Sequence, residues 1–273
     1  MLRIILLFFI STNLFASFPE NEMHNGDDPK VTWNISEKEF WEIIDYVYKI
    51  YKPVFNGVKS TTGEPVYFWF DSDWNSRINN IYANISKVPP WNWNAWVIKL
   101  NGGLARRVQL TKDGFMLAIC HEIGHLLAGY PLMSYLEYSI EGEADYYATH
   151  VCARKIFGQM EKTKKLERNN LKVEMCDKNF DTVFEQNVCY RSYFAAKSLA
   201  ETIYTLNRET RLPDPDVTDS YVSKITLQLH PPSQCRLDIY MAGILCDKAW
   251  DDTIIPMNRN AVCRNRPRCF YAP

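Results

Sequence analysis

The stretch His121-Glu122-Ile123-Gly124-His125 carries the residue types most able to do chemistry in this 273-residue chain. On a helix, positions i and i+4 share a face, so both imidazoles can reach one zinc ion at about 2.0–2.1 Å. Glu122 projects about 100° round the helix from His121, beside such an ion and not on it. From there it can take a proton from a metal-activated water and later pass it to a leaving amine. The plainer alternative is a helix with satisfied core histidines. It would bury three polar groups among Phe115, Met116, Leu117, Leu126 and Leu127 with no ion to compensate them, which is costly.

A hydrolytic zinc site needs a third protein ligand and an open fourth position. Glu141-Gly142-Glu143-Ala144-Asp145 supplies two candidates. Glu141 and Glu143 differ by about 200° on a helix, so only one can face the metal. If two helices run antiparallel about the turn at Gly129 and Pro131, His121 and Glu141 both stand about 10 Å from it, which favours Glu141. Asp145 then shares the face of Glu141 and can accept the second N–H of a ligating histidine, while Glu143 faces away.

These residues carry a resemblance. HEIGH followed by EGEAD is similar to the gluzincin pattern H-E-x-x-H … E-x-x-A-D of the HtpX and CAAX-prenyl-protease type, family forty-eight of the metallopeptidases. Asn94-Ala95-Trp96 with Gly103 resembles that family's N-A-F segment and glycine, which precede a strand along the cleft. His230-Pro231-Pro232 with Arg236 is similar to its downstream H-P-P-x-x-x-R. The match spans about residues 94–236. The resemblance implies a zincin-like fold, one zinc ion on His121, His125 and Glu141, and Glu122 as catalytic base. It also implies that His230 and Arg236 approach the open side of the zinc, to stabilise an oxyanion or gate access. Read alone, His230 equally precedes a helix and Arg236 equally makes a structural ion pair. The chain departs from the family in a short 125–141 gap, a long 141–230 gap with Cys176 and Cys189, and no membrane helices.

The elements that must position these groups follow from pattern. Ser36 and Glu39 form a capping box, and Phe40, Ile43, Ile44, Val47 and Ile50 recur at helical spacing until Lys52-Pro53. Residues 66–70 read as a short buried strand, followed by a loop rich in Asn and Pro. Segments 95–100 and 104–110 flank Asn101-Gly102, a hairpin signal whose edge strand would carry the substrate. Segment 113–128 is apolar nearly all round and so predicts a buried helix. Further helices are expected at 134–157, 193–206 and 236–245. The aromatics at 68–70, 74 and 91–93 suit strand and core packing better than a binding wall. His24 and His150 carry no assigned role. The fold class is α+β, predominantly helical, in one zincin-like domain over residues 33–273.

Outside that domain, residues 1–16 have a secretory signal's pattern: Arg3, an apolar run over 4–10, and Leu14-Phe15-Ala16 as a cleavage site. Residues 17–32 form a polar leader. Ser17, where a lipoprotein would need cysteine, argues against a lipid anchor. Removing the sixteen residues takes one arginine and no acid from 31 basic and 32 acidic residues, leaving a net charge of −2. That balance offers no footprint for nucleic acid, and the basic stretch 264–268 reads as a solvated terminus. No later segment has eighteen apolar residues in a row, so no membrane span is expected.

All eight cysteines follow the signal and none forms C-x-x-C, which predicts disulfides in a secreted or periplasmic setting. Pairing of Cys120 with Cys152 conflicts with the antiparallel arrangement, because their heights would differ by about 15 Å. The sequence thus leads to a zinc endopeptidase acting on protein or peptide. The rival is a catalytically silent zinc scaffold or chaperone-like envelope protein binding clients in the same cleft, and an intact Glu122 argues against it. A disulfide-built module with an accidental motif is the third possibility.

Overall fold

The computed structural model describes residues 34–59, 63–88, 93–133, 138–160, 174–248, 263 and 266–272. The signal, the leader, His24 and the aromatic at 91 lie outside them. The architecture is α+β and predominantly helical, with one three-stranded sheet.

Helix α1, Glu37–Asn56, begins at the capping box: the Ser36 N–H donates to Glu39 at 2.9 Å, and Glu39 N–H donates back to the Ser36 hydroxyl. It does not stop at Pro53. A proline there forfeits one helical hydrogen bond, but the extra turn buries Phe55, whose ring stacks on Phe68 at a centroid distance of 3.7 Å. Packing wins over the local breaker.

Strand β1 is Val66–Asp73, β2 is Ile81–Val88 and β3 is Trp93–Asn101. The sheet order is β1-β3-β2, with β3 parallel to β1 and antiparallel to β2. Two expectations fail here. The segment read as a loop contains β2, whose Ile81 and Ala83 alternate inward. The hairpin at Asn101-Gly102 does not form, because residues Gly102–Ala105 make a short helix, α2. A Cβ on Gly102 would lie 2.0 Å from the Trp74 carbonyl, and one on Gly103 2.3 Å from that of Ile78. These glycines admit a neighbouring backbone; they do not turn a hairpin. Asn94-Ala95-Trp96 therefore belongs to the middle strand, and the edge strand facing the HExxH helix is β2. β1 is only half buried: Phe68 and Phe70 pack toward α1, while Tyr67 and Trp69 face outward.

Helix α3, Lys112–Leu127, starts at Thr111, whose hydroxyl accepts from Gly114 N–H at 3.0 Å. It is buried from Gly114 to Leu126, as its apolar circumference requires. The following helix begins at Glu141, not near 134. α4 is Glu141–Tyr147; it passes through a π-helical turn, Ala148–Ala153, into α5, Arg154–Met160. Ahead of it, residues 138–140 fold back on the α3 end, with Ser139 N–H donating to the His125 carbonyl at 2.9 Å. After α6, Met175–Asn179, the long α7, Val183–Asn207, packs on α3 and α8, and α8 is Ser233–Ile244.

Four disulfides join all eight cysteines: 120–152, 176–189, 235–269 and 246–263. The first corrects the sequence argument. α3 and α4 do run antiparallel, but the second helix starts several residues later than assumed, so Cys152 is lower and the two Cα atoms lie 5.5 Å apart. Such a framework suits an oxidising compartment. Among the described residues, no helix is long and apolar enough to cross a membrane.

Candidate metal centre

α3 and α4 cross where Gly124 meets Ala144; a Cβ on Gly124 would sit 2.7 Å from the Ala144 carbonyl. That approach brings His121 and His125 onto the first residue of α4, Glu141. Nε2 of His121 is 3.2 Å from Glu141 Oε2, and Nε2 of His125 is 3.4 Å from Oε1. All three side chains are buried, and they form one of the few groups among the described residues with ligand atoms within 4.8 Å of each other. Two other such groups are built on disulfide-bonded cysteines, which have no thiolate to offer.

The far sides of the imidazoles decide what the near sides can do. His125 Nδ1 lies 2.8 Å from the Ser139 carbonyl, which only accepts, so Nδ1 carries the hydrogen and Nε2 a lone pair. His121 Nδ1 lies 2.7 Å from Asp145 Oδ1 and is held the same way. Asp145 in turn accepts two bonds from Arg236, Nε to Oδ2 at 2.8 Å and Nη2 to Oδ1 at 2.6 Å. Glu141 Oε2 is buried with His121 Nε2 as its neighbour at 3.2 Å, so with the His121 ring neutral it has no donor. A cation at this point would satisfy that oxygen and both lone pairs, so the donor set fits a metal.

Burial would pull the His121 imidazole down, but the Asp145 charge outweighs it and pushes it up to about 9 in the metal-free chain. Burial likewise opposes ionisation of Glu141, yet His230 and His125 hold its carboxyl well below the usual range. Asp145 is lowered too, since Arg236 and His121 overcome its burial. The cluster thus balances two carboxylates against Arg236 and a protonated histidine, and a metal ion must displace that proton.

Glu122 is fully buried, and its Oε2 accepts the Ala83 N–H of edge strand β2 at 2.8 Å. Two residues on, the Ile85 N–H donates to the Tyr138 hydroxyl. The outward N–H groups at 83 and 85 are therefore engaged, so the route along the edge strand is partly taken by the protein itself. Ala83, Tyr138 and Ser139 were not legible as site residues. Ala83 and Ser139 act through backbone atoms, which side-chain type does not disclose.

The remaining candidates divide. His230 Nε2 lies 3.3 Å from Glu141 Oε1 with its side chain 31% exposed, so it stands on the open side. Arg236 is buried on Asp145 and against the His121 ring, its Nη2 3.1 Å from Nδ1 and 3.4 Å from Nε2, with Tyr240 beside its guanidinium. It makes the structural ion pair, not an approach to the open side. Glu143 faces away, paired with Arg266 at 3.0 Å. Arg266 itself, expected in a solvated terminus, is sandwiched between the Tyr146 and Tyr271 rings. His150 is buried and donates from Nε2 to the Lys248 carbonyl at 2.8 Å.

Comparison of the chain with protein families, with curated proteins and with solved structures yields no match in any of the three.

Proposed function

We propose that the protein is a zinc-dependent endopeptidase, with the ion on His121, His125 and Glu141 and Glu122 as general base. The observation that carries this reading is the pair of histidines whose Nδ1–H groups are spent on Ser139 and Asp145, so that both Nε2 atoms face the buried Glu141 carboxylate, His121 toward Oε2 and His125 toward Oε1. Two imidazoles and one carboxylate suit zinc, and three ligands leave a position for reactants. When bound, zinc supplies Lewis-acid polarisation of water and of the scissile carbonyl. Glu122, next in sequence to His121 and held by the Ala83 N–H, accepts the proton of the attacking water and delivers it to the departing amine. His230, on the open side, can donate to the carbonyl oxygen as charge develops there. Arg236 fixes Asp145, and with it the His121 ring, against which its Nη2 also lies. The resemblance to the HtpX and CAAX-prenyl-protease type points the same way, and the four disulfides fit a protein working outside the cytosol.

The test uses purified protein. Elemental analysis should find one zinc per chain, lost in His121→Ala and in His125→Ala. Glu122→Gln removes the base and no ligand, so zinc content and melting temperature should hold while peptide cleavage falls by about 10²-fold or more. Full zinc occupancy in both histidine variants, or undiminished cleavage by Glu122→Gln, would overturn the reading.

A further inference from the structure

A cavity of about 610 Å³ opens beside His230, lined also by Arg208, Arg211, Glu209, Asp219 and Pro231. His230 touches the metal centre through Glu141, so a side chain entering this cavity belongs to a residue within about one or two positions of the bond under attack.

The lining carries two charges of each sign, and what it can grip is decided by which of these groups are already hydrogen-bonded. Glu209 is spent: its carboxylate accepts the Ser233 N–H at 3.0 Å, the Ser233 hydroxyl at 2.6 Å and the Asn207 amide at 3.0 Å, at the start of α8. Asp219 accepts the Tyr221 N–H at 2.8 Å. Arg208 and Arg211 are exposed, and neither guanidinium has an ion-pair partner among the described residues. The cavity therefore presents two uncommitted forks, each able to grip a carboxylate through paired N–H groups.

Arg208 adds an independent observation. It sits at φ 52°, ψ 41°, in the left-handed cap that ends α7, and is the one non-glycine residue with positive φ among the described residues. The backbone there closes as a Schellman motif, with Glu209 N–H on the Tyr204 carbonyl at 3.1 Å. Glycine fills this position at least strain, and the arginine adds nothing to the cap; what it adds is a guanidinium lining the cavity.

We infer that the cavity is a substrate subsite for a carboxylate, an acidic side chain or a terminal carboxylate close to the scissile bond. This rests on the peptidase reading, so its test is binding and not turnover. The probe is a peptide library on the zinc-loaded Glu122→Gln protein, in matched pairs with Glu or Gln at each position and a free or amidated C-terminus. At one or two adjacent positions Glu should bind about tenfold tighter than Gln, less so in high salt. An advantage for the free C-terminus alone would assign the pocket to the terminal carboxylate. In Arg208→Glu/Arg211→Glu the preference should pass to Lys. In Arg208→Gly acid preference should fall while Tm rises by roughly 2–4 °C, an opposite movement that a purely structural arginine would not give. Equal binding of every pair, no binding of any peptide, or a preference untouched in the double variant overturns the subsite. Absence of cleavage by the wild type, with acid-selective binding intact, would instead overturn the peptidase reading alone.

Discussion

The two halves of the molecule are held by different physics, and the metal centre lies on their seam. Residues 34–119 contain no cysteine; α1 and the sheet cohere through apolar packing such as Phe55 on Phe68 and Phe40 on Phe115. From residue 120 onward come all eight cysteines and the buried ion pairs, Asp145–Arg236 and Glu143–Arg266. Each half orients a different part of the site. The apolar half holds the proposed base, through Ala83 on Glu122. The bridged half holds a proposed metal ligand, through Arg236 and Asp145 on His121, and it also carries His230. Damage to the bridged half should therefore cost metal binding before it disturbs the base.

The sharpest test of that division is Arg236→Met. It leaves Asp145 buried without its main partner, a change worth about 3–5 kcal/mol of stability. Zinc affinity should fall by about 10–100-fold, because the His121 ring loses the group that fixes its acceptor. Urea unfolding and a competitive chelator titration measure the two effects. A variant as stable as the parent and equally tight for zinc would show that the ion pair does not support the site.

The same contrast explains what could be read in advance. The HExxH helix, its burial and the placing of Glu141 rather than Glu143 beside the histidines were legible because helical phase is a local property of α3 and α4. The start of the second helix was not: residues 138–140 are tied to the α3 end by Ser139 and by an isolated bridge to Leu132, both tertiary contacts. Glu141 does lie beside His121 and His125, although the equal heights used to choose it assumed a helix starting too early. Strand β2 was missed although Ile81, Ala83 and Ile85 alternate, because Asn84 and Ser86 on the other face read as loop. At Asn101-Gly102 the turn chemistry was real, but close packing on Trp74 and Ile78 overrode it. Arg236 could be singled out by type, whereas its place behind the histidine is a matter of three-dimensional order.

Within the bridged half, the four disulfides should not be equivalent. Cys235–Cys269 joins the residue before Arg236 to the residue before Phe270, and Phe270 fills the space over Gly142, next to Glu141 of the candidate site. Cys176–Cys189 ties α6 to α7, away from the ligands. Replacing either pair by serine should cost about 2–4 kcal/mol. Only the 235–269 replacement should also weaken zinc, by about tenfold. Equal zinc affinity in the two double variants would mean that the tail is not part of the site's support.

The smallest effect tests a link between the π-helical turn and the segment after α8. His150 donates to the Lys248 carbonyl, and burial holds its pKa down from 6.5 to about 4. In the unfolded chain the same imidazole titrates near 6.5, so between the two values the unfolded state binds a proton that the folded state refuses. Stability from this group is fully present above pH 6.5, declines as the pH falls toward 4, and levels off below. The whole span is worth about 3 kcal/mol at most. His150→Gln keeps a donor for Lys248 and cannot titrate, so its unfolding free energy should decline less than the parent's over that window. Asp145 and Glu141, whose carboxyls are held low, lose stability further down the scale and do so equally in both proteins. Urea unfolding of parent and variant at pH 7.5, 6, 5 and 4 would give the difference curve. A flat difference would mean that His150 is charged in the folded protein, and that its contact with Lys248 is made by an imidazolium.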